Sequence, residues 1–570
     1  MMKFSELAKY LEKLEETSSR IEITKILSSI FKKAGAEEID KITYLVLGKL
    51  APNYKNIVFN IADRMMLRAV SEAYGKEIKE IRTIYKKEGD LGDVVTKVAV
   101  GKGKNLSVIQ VYERTLAIAQ DEGGGSQERK INEMAKLLKD LDPLSARFVA
   151  RIPIGKLRLG FSDKTILDAL SWMKNGDKSA KSKLERAYRV IPDVGALTKK
   201  VKKLGIEKVA KNISPTLGIP VLPMLAQRIK SPTEMIKKMG KVAVEPKLDG
   251  LRIQIHFKAG KNGFIKSFTR NLNETSWMFP ELTNISNFVK AKEIIFDAEA
   301  VGLDEKKIAM ASFQTTMTRR RKHSINETTS KVPIKFYVFD LLSKDGKNLM
   351  DKSYLERRKI LEQSINKGEY FKIVENHLTE DPDEISRLNK QKRKEGYEGI
   401  MLKKVDSAYI PGRTGWRWVK MKEAEKSTGK LSDTVDCVVM GYSVGKGRRA
   451  QFGMGQLLVG VRDGEQIKTI SKIGTGITDE QFKEFKKRLT KLEVKEKPKA
   501  YIVHKNLEPD YWIEPVLVME VAADDITKSP THSSRYALRF PRLVRFRDDK
   551  NVSQATTTSE VKRLFKMQNV

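Results

Sequence analysis

Glu245-Pro246-Lys247-Leu248-Asp249-Gly250, followed by the run Leu251 to Lys258, is the stretch on which the reading of the fold turns. Leu251, Ile253, Ile255 and Phe257 alternate with Arg252, Gln254, His256 and Lys258, a period of two that predicts a strand with one apolar and one polar face. The strand leaves an Asp-Gly turn that carries Lys247. A lysine fixed between strands at a set depth in a cleft can lose enough pKa, through desolvation and neighbouring cations, to act as a nucleophile. Lys-x-Asp-Gly alone is unspecific, and a hairpin turn with a solvated lysine is the plain alternative. The rest of the chain decides between them.

A chain of 570 residues exceeds one core and implies three or four domains. Lys and Arg number 109 against 73 Asp and Glu, a net charge of +36. Such a charge repels itself unless a polyanion is the working partner, which favours nucleic acid over an anionic membrane surface. Nowhere do about 18 apolar residues run uninterrupted, so no membrane span is expected and the chain reads as soluble and intracellular. The single cysteine, Cys437, excludes an intramolecular disulfide framework and a four-cysteine zinc module. No Gly-Lys pair is followed by Ser or Thr, so a Walker A loop is absent.

Outward from the central stretch, the period changes twice. From Met1 to about Lys211 apolar residues recur at helical spacing, as in Phe4, Leu7, Leu11 and Leu14. Two glycine-containing loops, Asp121 to Gln127 and Arg151 to Phe161, read either as connectors or as contacts to a sugar-phosphate backbone. Ile213 to Pro223 holds three prolines and reads as a linker. Strand-like runs then alternate with helical pieces as far as the polar interruption Glu423 to Lys430, giving an α+β domain. Short strands broken by glycines follow, with a helix at Asp479 to Leu489, which fits a small barrel of the OB type.

Four further clusters carry chemistry. Asp297 and Glu299 are two residues apart on an apolar strand and share a face, an arrangement that a metal ion or ribose hydroxyl would explain, as would an exposed sheet face. Glu398 stands between glycines at the head of the apolar strand Ile400 to Lys403. Trp416, Trp418, Lys420 and Lys422 alternate with Val419 and Met421, so the two lysines are expected to look inward at an anion such as a phosphate. Phe339 reads as core packing or as a platform for a base.

This constellation resembles the ATP-dependent DNA ligases of the archaeal and eukaryotic replicative type. Glu245 to Gly250 is similar to their nucleotidyltransferase motif, and Thr269-Arg270-Asn271, Phe296 to Glu299, Val338-Phe339-Asp340, Glu398-Gly399, Lys420 to Lys422 and Arg547-Asp548-Asp549-Lys550 follow in the family's order. Gly123 to Gln127 and Leu157 to Gly160 resemble loops of the family's helical domain; Arg539 to Lys550 with Ala555-Thr556-Thr557 resembles its C-terminal signature.

The resemblance implies a multidomain chain: an all-α DNA-binding domain over 1–213, an α+β nucleotidyltransferase (adenylation) domain over 214–427, and a β-barrel OB-fold domain with a C-terminal helix over 428–570. It implies Lys247 as the nucleophile toward ATP, Glu245 as reader of the adenine edge, Phe339 as the stacking ring, Glu299 and Glu398 as ribose or Mg²⁺ ligands, and Arg252, Arg270, Lys420 and Lys422 as phosphate contacts. Arg547 and Lys550 are added as cations toward the pyrophosphate. The family often keeps a basic residue six positions before the first of the paired lysines; that place is Thr414, so the adjacent Arg413 is carried over, with Arg417 as substitute. The implied partner is nicked double-stranded DNA, met by a monomer, cytoplasmic and nucleoid-associated if prokaryotic. Gly101 to Ile109 lacks the paired Phe of a sliding-clamp peptide. An RNA ligase or capping guanylyltransferase would share the lysine chemistry without the long helical domain, NAD-using ligases carry the missing cysteines, and a decayed DNA-binding relative would not keep every chemical position filled.

Overall fold

The stripe Phe4, Leu7, Leu11 and Leu14 becomes the buried side of the helix Phe4–Glu16, and the same spacing builds most of the chain before Lys211. The ends of these helices are written in the sequence: Ser107 and Gln110 form a reciprocal capping box at Val108–Gln120, and Asp142 caps Pro143–Arg151, whose first residue is proline. The computed structural model describes residues 1–567 except 156, 158, 212, 230, 304–315, 317–318, 320–331, 367, 413–414, 423–433, 446–451 and 475–476. They form two compact units, Met1–Ala62 with Lys102–Glu423, and Asp63–Gly101 with Ala424–Val570.

In the first unit, helices lead into two sheets. One has five strands in the order Gln227–Arg228, Trp418–Lys422, Gly399–Lys404, Val242–Lys247, His377–Thr379. The other runs Phe264–Thr269, Leu251–Lys258, Glu293–Gly302, Ile334–Lys344, Lys347–Asn348, with Phe371–Ile373 pairing Ile334–Lys344. Leu248 to Gly250 is therefore the crossing from one sheet to the other, and not the tip of a hairpin between paired neighbours.

The predicted strand Leu251–Lys258 is observed, with Ile253 and Ile255 wholly buried. Its polar face is buried as well, because the segment read as a linker is seated on it. Gln254 Oε1 accepts from the Val221 N–H at 2.7 Å, His256 Nδ1 accepts from the Gly218 N–H at 3.1 Å, and Arg252 Nη1 donates to Met224 O at 2.6 Å. Val190, Ile191, Val221 and Met224 join Ile295, Leu342, Tyr409 and Trp418 in one core cluster.

In the second unit the helices Asp63–Tyr74, Ile78–Glu88 and Leu91–Val98 pack on one another. The later part of this unit is an OB-like sheet in the order Glu493–Val494, Tyr511–Ile513, Val435–Ser443, Gln456–Asp463, Gln466–Ile473, Tyr501–Ile502, with Val518–Ala522 joining Val435–Ser443 to Arg542–Phe546. Bulges at Met440 and Ile470 bend it. Among the described strands no pairing joins the sheet's two ends, so the expected barrel is an open, curved sheet. The helix Thr558–Met567 seats Val561 in its core. Thr556 ties the chain before that helix to Asp436 through the backbone and its hydroxyl.

Candidate active site

The five-stranded sheet collects the lysine motif by register. Opposite Lys247 lies Gly399, and opposite Gly399 lies Lys422; opposite Glu245 lies Met401, and opposite Met401 lies Lys420. Side chains of directly paired residues share a face, and so do residues two apart, so Lys247, Glu245, Met401, Lys403, Lys420 and Trp418 all stand on one side of the sheet. Lys422 is placed here only by its backbone register. Glu398 immediately precedes Gly399 and its N–H donates to Lys247 O at 3.0 Å.

Lys247 is the last residue of its strand, its side chain one-fifth exposed. The ammonium is ion-paired to Glu398 Oε2 and lies 3.4 Å from Leu248 O. Burial lowers its pKa from the usual lysine value, against the opposing pull of the Glu299 and Asp249 carboxylates. Desolvation thus does what neighbouring cations were expected to share. Glu299 is pushed up to about 7, chiefly by burial and in spite of Lys247 and Arg252. Gly250 permits this closeness: a Cβ there would lie 2.6 Å from Ala300 O and 2.9 Å from Glu299 Cγ, a distance real Cβ atoms do not adopt.

The six-stranded sheet supplies the opposite wall. Arg252 pairs in register with Glu299, and Gln254 with Asp297. The register passes from Asp340 opposite Asp297 to Val338 opposite Ala298, which leaves Phe339 as the extra residue of a β-bulge. The bulge turns the ring edge-on to Trp418 of the other sheet, centroids 6.0 Å apart, with Arg252 5.3 Å from the ring centre. Phe339 is half-buried in this cleft and so has surface left for a ligand.

Arg252 donates to Asp297 Oδ2 at 2.7 Å and to Tyr409 Oη at 3.2 Å, while its buried Nε has no hydrogen-bond partner. The Nε–H is thereby left for a bound anion. Asp297, read as half of an acidic pair, is spent on the protein: it also accepts from Tyr409 Oη at 2.7 Å and Gln254 Nε2 at 3.3 Å. Arg270 is exposed, in the turn after Phe264–Thr269. Arg413 and Thr414 lie outside the described residues. In the second unit Arg547 and Lys550 are not a solvated tail, since both pair with Asp436, at 3.2 and 2.6 Å.

Among the described residues no three His, Cys, Asp or Glu side chains are grouped to hold a metal. Two carboxylates, Glu299 and Glu398, both beside Lys247, fit Mg²⁺, which is typically bound by one or two carboxylates together with substrate phosphates and water.

Sequence reasoning missed how Glu245 is held. It is buried, with Oε1 accepting from Tyr354 Oη at 2.6 Å and Oε2 paired with Lys403 Nζ at 2.8 Å. Lys403 was legible in principle, being on the same face as Gly399 and Met401 by the period of two. Tyr354 comes from the helix Tyr354–Ser364, more than a hundred residues downstream, and nothing local announces it.

Of the loops of the helical part, Asp121 to Gln127 is braced by Arg129, which grips Asp121 through both carboxylate oxygens at 2.6 and 3.0 Å and reaches Gly124 O at 2.8 Å. In the other loop Leu157 and Leu159 are buried, while Lys156 and Arg158 lie outside the described residues. No helix among the described residues is long and apolar enough to cross a membrane.

Comparison with known proteins agrees along the whole length. Residues 3–171 match the family model for the DNA ligase N terminus, 223–422 that for the ATP dependent DNA ligase domain, and 450–550 that for the ATP dependent DNA ligase C terminal region. The chain is 40% identical to a probable DNA ligase of Dictyoglomus thermophilum, covering 100% of this chain and 98% of that one. It is 34% identical to a DNA ligase of Saccharolobus solfataricus, again over 100% and 98%. The solved structure Pmar-Lig_PreS3, 20% identical, superposes with a TM-score of 0.53 over 95% of this chain and 99% of that chain, which speaks to the fold. The chain belongs to the ATP-dependent DNA ligase family.

Proposed function

We propose that Lys247 is the residue on which this ligase carries AMP. The observation that carries the assignment is the partly buried Lys247 amine, of lowered pKa, between two carboxylates at a sheet end. Members of the family seal single-strand nicks in duplex DNA with ATP and Mg²⁺. In the first step Nζ, as the neutral amine, attacks the α-phosphorus of ATP; the N–P bond forms and the bond to pyrophosphate breaks. An oxygen of the 5′-phosphate at the nick then takes AMP from Lys247, breaking the P–N bond. Finally the 3′-hydroxyl oxygen attacks the 5′-phosphorus, AMP leaves, and the strand is continuous.

Glu245 reads the base edge, Phe339 stacks on the base, and Arg252 offers its unpartnered Nε–H to phosphate. Lys420 stands on the same sheet face as Lys247, and Lys422 in register with it, as cations for the phosphates; Arg270, Arg413, Arg547 and Lys550 complete the charged set. Mg²⁺, when bound at Glu299 and Glu398, neutralises charge on the phosphoryl oxygens. The division 1–213, 214–427 and 428–570 assigns DNA binding, adenylation and closure to three parts. The protein works inside the cell as a monomer. Incubation with α-labelled ATP and Mg²⁺ tests the reading: label should stay on the protein through a denaturing gel and move to DNA when nicked duplex is added. Label that never becomes covalent would refute it.

A further inference from the structure

We propose that Lys403 and Tyr354 are positioning residues that set the nucleotide preference of the enzyme, by holding Glu245 as a charged acceptor that accepts an adenine and turns away a guanine. The inference rests on the reading of Glu245 as the residue that meets the base edge.

All three side chains are buried, Glu245 at 3%, Lys403 and Tyr354 at 1% exposure. The Glu245 carboxylate is held from both ends, by Tyr354 Oη on Oε1 and by Lys403 Nζ on Oε2. Tyr354 Oη in turn accepts from Asn376 Nδ2 at 3.3 Å. The Lys403 ammonium has a second bond, donated to Phe339 O at 2.8 Å, and stands 4.8 Å from the Phe339 ring centre and 4.7 Å from that of Trp418. One cation therefore fixes both the proposed base-stacking ring and the edge-reading carboxylate, and places them within the span of a purine.

Charge explains why a lysine is needed. A carboxylate enclosed like this is costly to bury without a partner of opposite charge. Asp340, which also acts on Lys403 through charge, is itself bonded to Arg357 Nε and Nη2 at 2.7 and 3.0 Å, so the Lys403 ion pair is made with Glu245. Arg358 donates to Glu362 and Val374 O and adds a second positive charge near Glu245 and Tyr354 without bonding to either. Lys403 is the counter-charge bonded to the buried Glu245 carboxylate, and Tyr354 fixes its plane.

The consequence concerns the purine. An ionised carboxylate only accepts hydrogen bonds. Adenine offers it the N6 amino group, whereas guanine presents O6 at the same place, an acceptor against an acceptor. Without Lys403 the carboxylate loses the bond that fixes Oε2, and is free to turn away from the adenine N6 position. Loss of Lys403 should therefore erode the preference for ATP over GTP more than it slows the chemistry.

The test is the single-turnover rate of lysyl-nucleotide formation with α-labelled ATP and with GTP, over a range of concentration and pH, for full-length wild type, Glu245→Gln, Lys403→Met, Lys403→Arg and Tyr354→Phe. Lys403→Met should lower the ATP:GTP ratio about 10- to 100-fold, the range for one buried hydrogen bond left unmade. The change should lie mainly in KM. Lys403→Arg, which keeps the charge, should restore most of the ratio; Tyr354→Phe should lower it several-fold. If Glu245→Gln shifts the ratio and Lys403→Met does not, this proposal is overturned and the Glu245 reading stands. If neither shifts it, the Glu245 reading itself is wrong. Should Lys403→Met fail to fold, an unchanged ratio in Tyr354→Phe overturns the proposal.

Discussion

Gly250 lies so close to Ala300 that a β-carbon on it would sit 2.6 Å from the Ala300 carbonyl oxygen. The contact docks the lysine turn onto the strand that carries Glu299. Gly250→Ala should push that strand away and take Glu299 with it. Displacements near 1 Å at a reacting centre cost about 100-fold, and a loss of that order in single-turnover lysyl-AMP formation is the expected result. A variant that adenylates at the wild-type rate would show that the close approach serves packing alone.

His256 gives a pH signature. Its Nδ1 accepts from the Gly218 N–H, so the proton rests on Nε2, which faces Gln254 Oε1 at 3.0 Å. Burial, with Lys266 alongside, pushes its pKa down to about 3. The unfolded chain takes up this proton near the ordinary value of about 6.5, while the folded chain resists until about 3. Stability should therefore fall with acid across that window, by about 1.4 kcal/mol per pH unit for this one group. Denaturant titrations of wild type and His256→Gln from pH 7 to pH 4 should diverge accordingly; parallel curves would contradict the assignment.

The segment that seats on His256 and Gln254 also decides where the chain can be cut. A fragment beginning at Ile213 should form lysyl-AMP yet seal nicks poorly, because the helical part is absent. Full-length affinity for nicked duplex should drop steeply with salt, with a log-log slope of about −0.9 per neutralised phosphate. A fragment beginning at Met224 should lose adenylation too, since Gly218 and Val221 are missing from Gln254 and His256. Equal activity of the two fragments would mean that the docked segment is dispensable.

Arg547 and Lys550 share Asp436 as partner. If they serve the departing pyrophosphate, replacing both by alanine should slow adenylation by ATP far more than sealing of a nick adenylated beforehand. Equal losses on the two substrates would make their pairing with Asp436 a matter of folding.

The sequence showed the strand Leu251–Lys258, the helical stripes and the order of the motifs, because each depends on periodicity or on a short local signal. It did not show that the polar face of that strand is buried. Gln254 and His256 are satisfied by backbone more than thirty residues earlier, and a polar residue at a period-two position looks the same whether it meets water or a seated segment. Asp297 and Glu299 appear as equals in sequence. Only the fold separates them, giving Asp297 to Arg252, Tyr409 and Gln254, and leaving Glu299 beside Lys247. The open edge of the OB-like sheet was equally illegible, since strand count does not determine closure.

The central claim is that AMP is carried on Lys247. The most direct measurement is to incubate the full-length protein with ATP and Mg²⁺, digest it, and locate the AMP-bearing peptide by mass spectrometry, beside Lys247→Ala and Lys247→Arg. The account predicts AMP on Lys247 in wild type and no adenylated peptide in either variant, as alanine has no amine and a guanidinium has no free lone pair at neutral pH. AMP on another residue, or on either variant, would contradict it.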